Sequence, residues 1–356
     1  MQFEKWSGLA GLRFLLAFIV VVTHLAAYTP LGAWGVVPSF GSFEAILGFL
    51  LISGYSIGAS YAKEPQGFLV RRAKRIYPVY LASLALSYIV YVLANSAHPT
   101  WWVTLSNVLF LNQILTQNSL VSSAWSLALE FWLYGLTPWL LRTDGPTLRR
   151  LMFASFGAYL LYTCGRTLLQ WDYYADVGYG GNLLFLSFAY LAGLRLAREP
   201  QAARSVLRDI AIMFTLHIGL ATAIQFASSW RHGIASDFLR DGIDAYMLQA
   251  CTLALVLWAF RAITTRPVNN VPASRLLRLM GDISFPLYLI HLPLYYLLDR
   301  GGFDSATFFL GSAVAASFVL YMAVDKYSQM RHLAPSAEPS SLAPRAAHGS
   351  PRAFTT

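Results

Sequence analysis

Ten apolar runs, each long enough to cross the hydrocarbon core of a bilayer, constrain this chain more than any motif does. They fall near 9–29, 42–61, 76–95, 123–141, 150–169, 181–197, 208–228, 243–262, 282–298 and 303–325. A membrane-spanning helix needs roughly 17 to 25 apolar residues. Only 12% of the residues are charged, against about 25% in an ordinary soluble domain. The pattern predicts an all-α, polytopic integral membrane protein of about ten transmembrane helices.

The connections sort by charge. Those at 63–75, 142–150, 195–208 and 261–278, and the segment after Lys326, are rich in Lys and Arg, whereas the alternate connections hold only Arg231, Arg240 and Arg300. By the positive-inside rule both termini are expected in the cytoplasm. The net charge of +9 is strung out between apolar runs and forms no single stripe, so lipid is the expected partner and nucleic acid is not. Cys164 and Cys251 both lie inside apolar runs and imply no disulfide framework. The first run has no small-residue cleavage site of the kind that ends a signal peptide. Residues 1–330 read as one transmembrane domain. Residues 331–356, rich in Pro, Ser and Ala, read as a disordered cytoplasmic tail. The longest non-cytoplasmic connection, 96–122, carries Trp101-Trp102 and a leucine-rich stretch suited to the outer interface. No internal repeat stands out, which argues against the inverted-repeat design of many transporters.

Few ionisable groups interrupt the runs, and those that do are informative. Arg13 and His24 are eleven residues apart, so on a helix they point within about 20° of one another and differ in height by about 16 Å. A lone His in an apolar helix is ordinarily a satisfied packing residue, but inside a bilayer an ionisable group tends to face a polar cavity or partner. Counted from the basic residues at the cytoplasmic ends, His24, Glu130 and His291 all lie about 16 to 20 Å deep. This shared layer suits a carboxylate that orients an imidazole acting as base. The alternative is that each is paired separately with a backbone or hydroxyl group. Four cations in five residues, Arg71, Arg72, Lys74 and Arg75, precede Pro78, a residue suited to a first helical turn. The cluster is therefore expected beside a helix N-terminus, where phosphate groups bind well, although anchoring to anionic lipid alone explains most such loops. Ser53, Gly54, Tyr55 and Ser56 permit close helix approach. Glu44 is expected either as an interfacial charge or as part of an acceptor site. Pro286 and Pro293 bracket His291 and predict a kink.

In these residues the chain resembles the membrane-bound acyltransferase family 3, bacterial inner-membrane proteins that O-acylate surface glycans and other acceptors. The resemblance covers about residues 5–325. It rests on Arg13 and His24 in an Arg-x10-His pattern, on Ser53-Gly54-Tyr55, on Arg71, Arg72 and Arg75 followed by Pro78, on Trp125-Ser126-Leu127 with Glu130 and Tyr134, and on Gly281, Ser284, Tyr288 and His291. Many members carry an acidic residue six positions before the Ser of the Ser-Gly element, where this chain has Leu47, with Glu44 one turn away. What the resemblance implies is a multi-pass protein of the bacterial inner membrane that takes an acyl group, acetyl in the first instance, from cytosolic acyl-CoA. The acceptor would be a glycan or lipid-linked glycan, with a possible partner from the glycan biosynthesis machinery. Acyl-CoA is then a co-substrate, and neither a bound cofactor nor a metal is expected. Arg71, Arg72 and Arg75 would hold the donor's phosphates. His24 would act as base or carry the acyl group, Glu130 would orient it, and His291 or Ser126 would stabilise the oxyanion. Arg13 would join donor phosphate to helix register, and Ser53, Tyr55, Trp125, Ser126 and Tyr134 would line the site. The rival readings are a transporter or flippase for a glycan or lipid intermediate and an acyltransferase for a small-molecule acceptor.

Overall fold

The computed structural model describes residues 2–265 and 271–325, and among them helices and turns make up the whole architecture, apart from one isolated bridge between Asn112 and Thr116. In chain order the helices are α1 (Gln2–Leu25), α2 (Ser42–Lys63), α3 (Phe68–Asn95), α4 (Trp101–Val108), α5 (Trp125–Leu140), α6 (Gly145–Leu168), α7 (Gly181–Phe185), α8 (Ser187–Arg198), α9 (Ala203–Arg231), α10 (Ala235–Asp237), α11 (Ile243–Thr265), α12 (Val271–Arg300) and α13 (Ala306–Leu320). A π-helical turn, Phe238–Gly242, carries α10 into α11. The tail expected to be disordered, 331–356, lies outside the described residues.

Each of the ten apolar runs coincides with helix. Six stretches are long and apolar enough to cross a membrane: Trp6–Leu25, Ser42–Lys63, Phe68–Asn95, Pro200–Arg231, Ile243–Ala262 and Ala306–Val324. The chain is thus a multi-pass membrane protein. Two of the other four runs fall short for visible reasons. α5 has 16 residues, and the run at 181–197 is broken at Leu186 into α7 and α8. Ser155 of α6 stabilises that break, since its hydroxyl donates to the Leu184 carbonyl (2.6 Å) and accepts from the Phe188 amide (3.0 Å). Both backbone groups would otherwise be orphaned in an apolar surrounding.

Two close crossings set the bundle. α2 lies against α8 so tightly that a Cβ on Gly54 would stand 2.0 Å from the Tyr190 carbonyl oxygen, and one on Gly193 2.1 Å from that of Leu51. The Ser-Gly-Tyr element therefore contains a backbone contact that only glycine allows. α1 and α12 run parallel, with Ala10 against Gly281 near one end and the Val21 carbonyl against Tyr295 further along. This pairing fixes which residues of the two helices meet.

Two expectations are corrected here. The first run, expected as 9–29, leaves the helix at Leu25 and closes in turns through Thr29, whose hydroxyl donates to the Asp304 carbonyl. Pro30 makes a continued helix unfavourable at the residues before it. His24 accordingly lies in the last turn of α1 instead of mid-helix. The basic cluster also does not precede a helix: α3 starts at Phe68, after Gly67 in the left-handed region (φ 62°), and Pro78 is inside it. Arg71, Arg72 and Arg75 belong to the first two turns of α3.

α4 turns Trp101, Trp102 and Leu105 outward while burying Ser106 and Asn107. Asn107 is tied to the connection that follows it, accepting from the Leu120 amide and donating to the Asn118 carbonyl, both at 2.9 Å. An apolar outer face with a polar inner one suits an element lying in the membrane interface.

Candidate active site

The parallel packing of α1 and α12 brings the two sequence-flagged histidines into contact. His24 Nδ1 lies 2.8 Å from His291 Nε2, and the two rings are coplanar within 5°. His291 is fully buried, and its Nδ1 lies 3.2 Å from the Leu287 carbonyl oxygen. A carbonyl can only accept, so His291 Nδ1 carries the proton and Nε2 presents a lone pair. His24 Nδ1–H then donates to that lone pair, which leaves the lone pair of His24 Nε2 uncommitted. Among the described residues, Nε2 of His24 has no hydrogen-bond partner. An imidazole that is oriented at one nitrogen and free at the other is the arrangement a general base requires.

Around this pair stand hydroxyls. Tyr288, one turn before His291, exchanges a 2.8 Å hydrogen bond with Ser126 of α5, while the Ser123 hydroxyl donates to the Tyr288 carbonyl at 2.7 Å. Phe49 of α2 meets the Tyr288 ring edge-on at 5.6 Å. α5 is thereby registered against α12 at the level of the histidines.

Glu130 sits elsewhere. It accepts from the Tyr134 hydroxyl one turn along α5, and it acts electrostatically on Arg13 together with Arg75 and Asp282. The expected pairing of Glu130 with His24 is not the one formed: His291 occupies the nitrogen that the carboxylate would orient. Arg72 donates to Ser60 and shares its surroundings with Arg75, Arg13, Tyr134 and Tyr190. Arg13, Arg72 and Glu130 keep part of their surface accessible although they lie among packed helices. Together with Arg75 and Tyr134 they define a polar chamber at the Arg13 end of α1, about 16 Å along the helix from His24. Arg71 is turned away from this chamber, toward the connection before α3, where it meets Glu64 Oε1 at 3.0 Å and the Glu64 and Gln66 carbonyls. Ser53 is buried next to the Gly54 crossing, Tyr55 packs edge-on against Phe260 at 5.5 Å, and Trp125 is buried with its ring 6.4 Å from that of Tyr173. No group of three or more His, Cys, Asp or Glu is arranged to hold a metal among the described residues.

A second buried histidine escaped the sequence reading. His217 of α9 meets Glu44 Oε1 through Nε2 (3.0 Å) and the Tyr159 hydroxyl through Nδ1 (2.6 Å). Glu44 is thus an interior group and no interfacial charge. The available signal was that Glu44 and His217 are both ionisable residues inside apolar runs, which membrane segments tolerate only with partners. Nearby, Arg166 lies over the rings of Tyr173 (4.8 Å) and Tyr174 (5.1 Å). Burial raises the Tyr174 phenol above its ordinary range, so the cation faces a neutral ring.

These features define a multi-pass membrane protein with an oriented imidazole held between α1 and α12 and an arginine-rich chamber formed by α1, α3 and α5. The family profile described as "Acyltransferase domain" matches residues 6–324. The chain belongs to acyltransferase family 3. No curated protein and no solved structure matches it significantly.

Proposed function

We propose that this membrane acyltransferase moves an acyl group, acetyl in the first instance, from cytosolic acyl-CoA to a hydroxyl of a surface or lipid-linked glycan. The protein would lie in a bacterial inner membrane with both termini cytoplasmic, next to the machinery that makes the glycan. The observation that carries this reading is the chain Leu287 carbonyl, His291, His24, which leaves one basic nitrogen of His24 free. Arg72 and Arg75 hold the donor's phosphates at the chamber, while Arg71 is engaged by Glu64 outside it. Arg13 balances Glu130 there and fixes the register of α1. The pantetheine arm spans the distance from chamber to imidazole.

His24 Nε2 removes the proton from the acceptor hydroxyl as its oxygen attacks the thioester carbonyl. The C–S bond then breaks, and the proton passes from His24 to the departing thiolate, giving an ester and free CoA. While His24 is protonated, its Nδ1–H still donates to the neutral His291, which favours the imidazolium. His291 is therefore a positioning residue. Ser126 and Tyr288 share one hydrogen bond, which leaves the other hydroxyl hydrogen of the pair as the donor for the tetrahedral oxyanion.

The test is label transfer from radiolabelled acetyl-CoA by the protein in nanodiscs, with a cell-surface glycan fraction as acceptor. Label reaching the glycan with wild-type protein, none with His24→Ala, and weakened CoA binding with Arg72→Ala/Arg75→Ala is the expected result. Unchanged transfer by folded His24→Ala would remove the imidazole from the reaction. Transport of the glycan fraction without acyl transfer would favour a flippase.

A further inference from the structure

At the end of the bundle away from the arginine chamber, the connections 109–120 and 169–182 interlock. The Gly180 amide donates to the Gln113 carbonyl (2.8 Å), the Gln113 side chain to the Ala175 carbonyl (2.6 Å), and the Asn182 side chain to Gln113 Oε1 (2.8 Å) and the Tyr174 carbonyl (2.6 Å). Beneath them a line of contacts leads inward. Arg166 covers the Tyr173 ring, Tyr173 meets Trp125 edge-on at 6.4 Å, and the next residue, Ser126, is bonded to Tyr288, whose ring lies 6.3 Å from that of His291. Trp171 and Tyr179 are also exposed here, but their positions are explained by the aromatic belt of membrane proteins. Tyr173 differs, because rings or a cation flank it on three sides, Trp125, Tyr174 and Arg166, while 38% of its surface stays accessible. The Arg166 Nε and the Asn182 Oδ1 are buried without a hydrogen-bond partner. The Arg166 donor left unmatched beside a half-open aromatic ring calls for a guest that combines an apolar face with hydroxyls.

We infer that Tyr173, Trp125 and Arg166 form the acceptor subsite, which receives a carbohydrate with one sugar face on the Tyr173 ring and its hydroxyls toward Arg166, so that a further hydroxyl reaches His24. The assignment rests on the acyltransferase reading given above. Asp172 and Asp176 lie in the same electrostatic neighbourhood as Arg166, which favours a neutral sugar ring over an anionic group at this position. The outward end is where a glycan, unlike CoA, would arrive.

The test uses oligosaccharides released by mild acid from the source cell's own surface polysaccharide and end-labelled with borotritide. Their retention by the protein in nanodiscs is measured beside CoA release from acetyl-CoA without acceptor. Loss of the Tyr173 ring face in Tyr173→Leu is expected to weaken retention and raise the acceptor KM about tenfold, the size expected of one aromatic contact. Arg166→Gln should do the same, and Tyr173→Phe should stay near wild type. Acceptor-free CoA release should be unchanged in all three. Retention equal to wild type in Tyr173→Leu and Arg166→Gln would overturn the inference. A parallel fall in acceptor-free CoA release would also overturn it, by showing that these residues support the fold. If the wild type retains oligosaccharide through Tyr173 but neither releases CoA nor transfers label, the subsite stands and the acyltransferase reading fails.

Discussion

Two histidines inside the bundle, the half-buried His24 and the buried His217, are each hydrogen-bonded to a partner from another helix, and they differ in how many of their nitrogens are taken. His217 has both ring nitrogens occupied, by Glu44 and by Tyr159, whereas His24 has one nitrogen bonded to His291 and the other without a partner among the described residues. A saturated imidazole has no lone pair to offer and ties helices together. An unsaturated one, held rigidly at its other nitrogen, keeps a lone pair for a proton. Hydrogen-bond occupancy and access together separate the two roles, because the free nitrogen belongs to the half-buried ring and the saturated ring is buried.

The largest expected effect tests the free nitrogen. His24→Ala should lower acyl transfer about 10³-fold, in the range that general-base catalysis supplies. Its cost in stability, read from unfolding in mixed micelles, should be only about 1 kcal/mol, because the buried His291 Nε2 loses its donor. His217→Ala should do the reverse, losing stability and keeping transfer per folded molecule. If both variants lose transfer to the same degree at a temperature where both are folded, occupancy does not distinguish them.

Next comes the residue that holds His24. His291→Ala frees His24 Nδ1 and lets the ring rotate or change tautomer, and transfer should fall about 10²-fold, a loss of about 2.7 kcal/mol in transition-state binding. The fall should lie in kcat, since His291 touches His24 and no donor phosphate. His291→Gln, which keeps an acceptor near Nδ1–H of His24, should recover part of it. A pure KM effect would place His291 in substrate binding instead.

How much of this was legible in the sequence depends on the kind of information needed. Hydropathy located the long helices, because lipid demands long apolar runs whatever the arrangement, and it missed the short α4 and α10. Depth along a helix was readable for His24 and His291, which do meet, but it failed for Glu130, which groups with Arg13 nearer the other end of α1. Lateral position was not readable. Which group faces which depends on how the helices pack, and the parallel contact of α1 with α12 through Gly281 gave His24 to His291 and left Glu130 to Tyr134. Local breaks failed for a related reason: the interruption at Leu186 is held by Ser155, about thirty residues away in sequence. Pro78 misled because a proline that suits a first turn is also tolerated further inside a helix when neighbouring packing compensates.

On the saturated side, Glu44→Gln keeps the shape but replaces a carboxylate that accepts from His217 Nε2–H. Burial makes this hydrogen bond to a charged group worth more than a neutral one, and its loss should cost about 2 kcal/mol of stability. Transfer by the folded fraction should remain near wild type. A transfer defect exceeding the folding defect would connect the Glu44–His217 pair to the reaction and weaken the division drawn between the two histidines.

The smallest effect falls on Tyr159→Phe. Tyr159 stacks among Phe43, Phe156, Tyr174 and Phe188, and all of that ring packing survives the change. What is lost is the hydroxyl at 2.6 Å from His217 Nδ1. That nitrogen then becomes a buried acceptor without a donor, at a cost of about 1 kcal/mol. The variant thus gives His217 a free nitrogen like that of His24, but with no second histidine beside it and with the rings of residue 159 and Tyr174 between it and Tyr173. Stability should drop slightly and transfer should be unchanged, because a free lone pair acts only where a reacting proton can reach it. A tenfold change in transfer at full folding would mean that the two networks are coupled through α2, which carries both Glu44 and the Phe49 that meets Tyr288, and that occupancy at one site is read at the other.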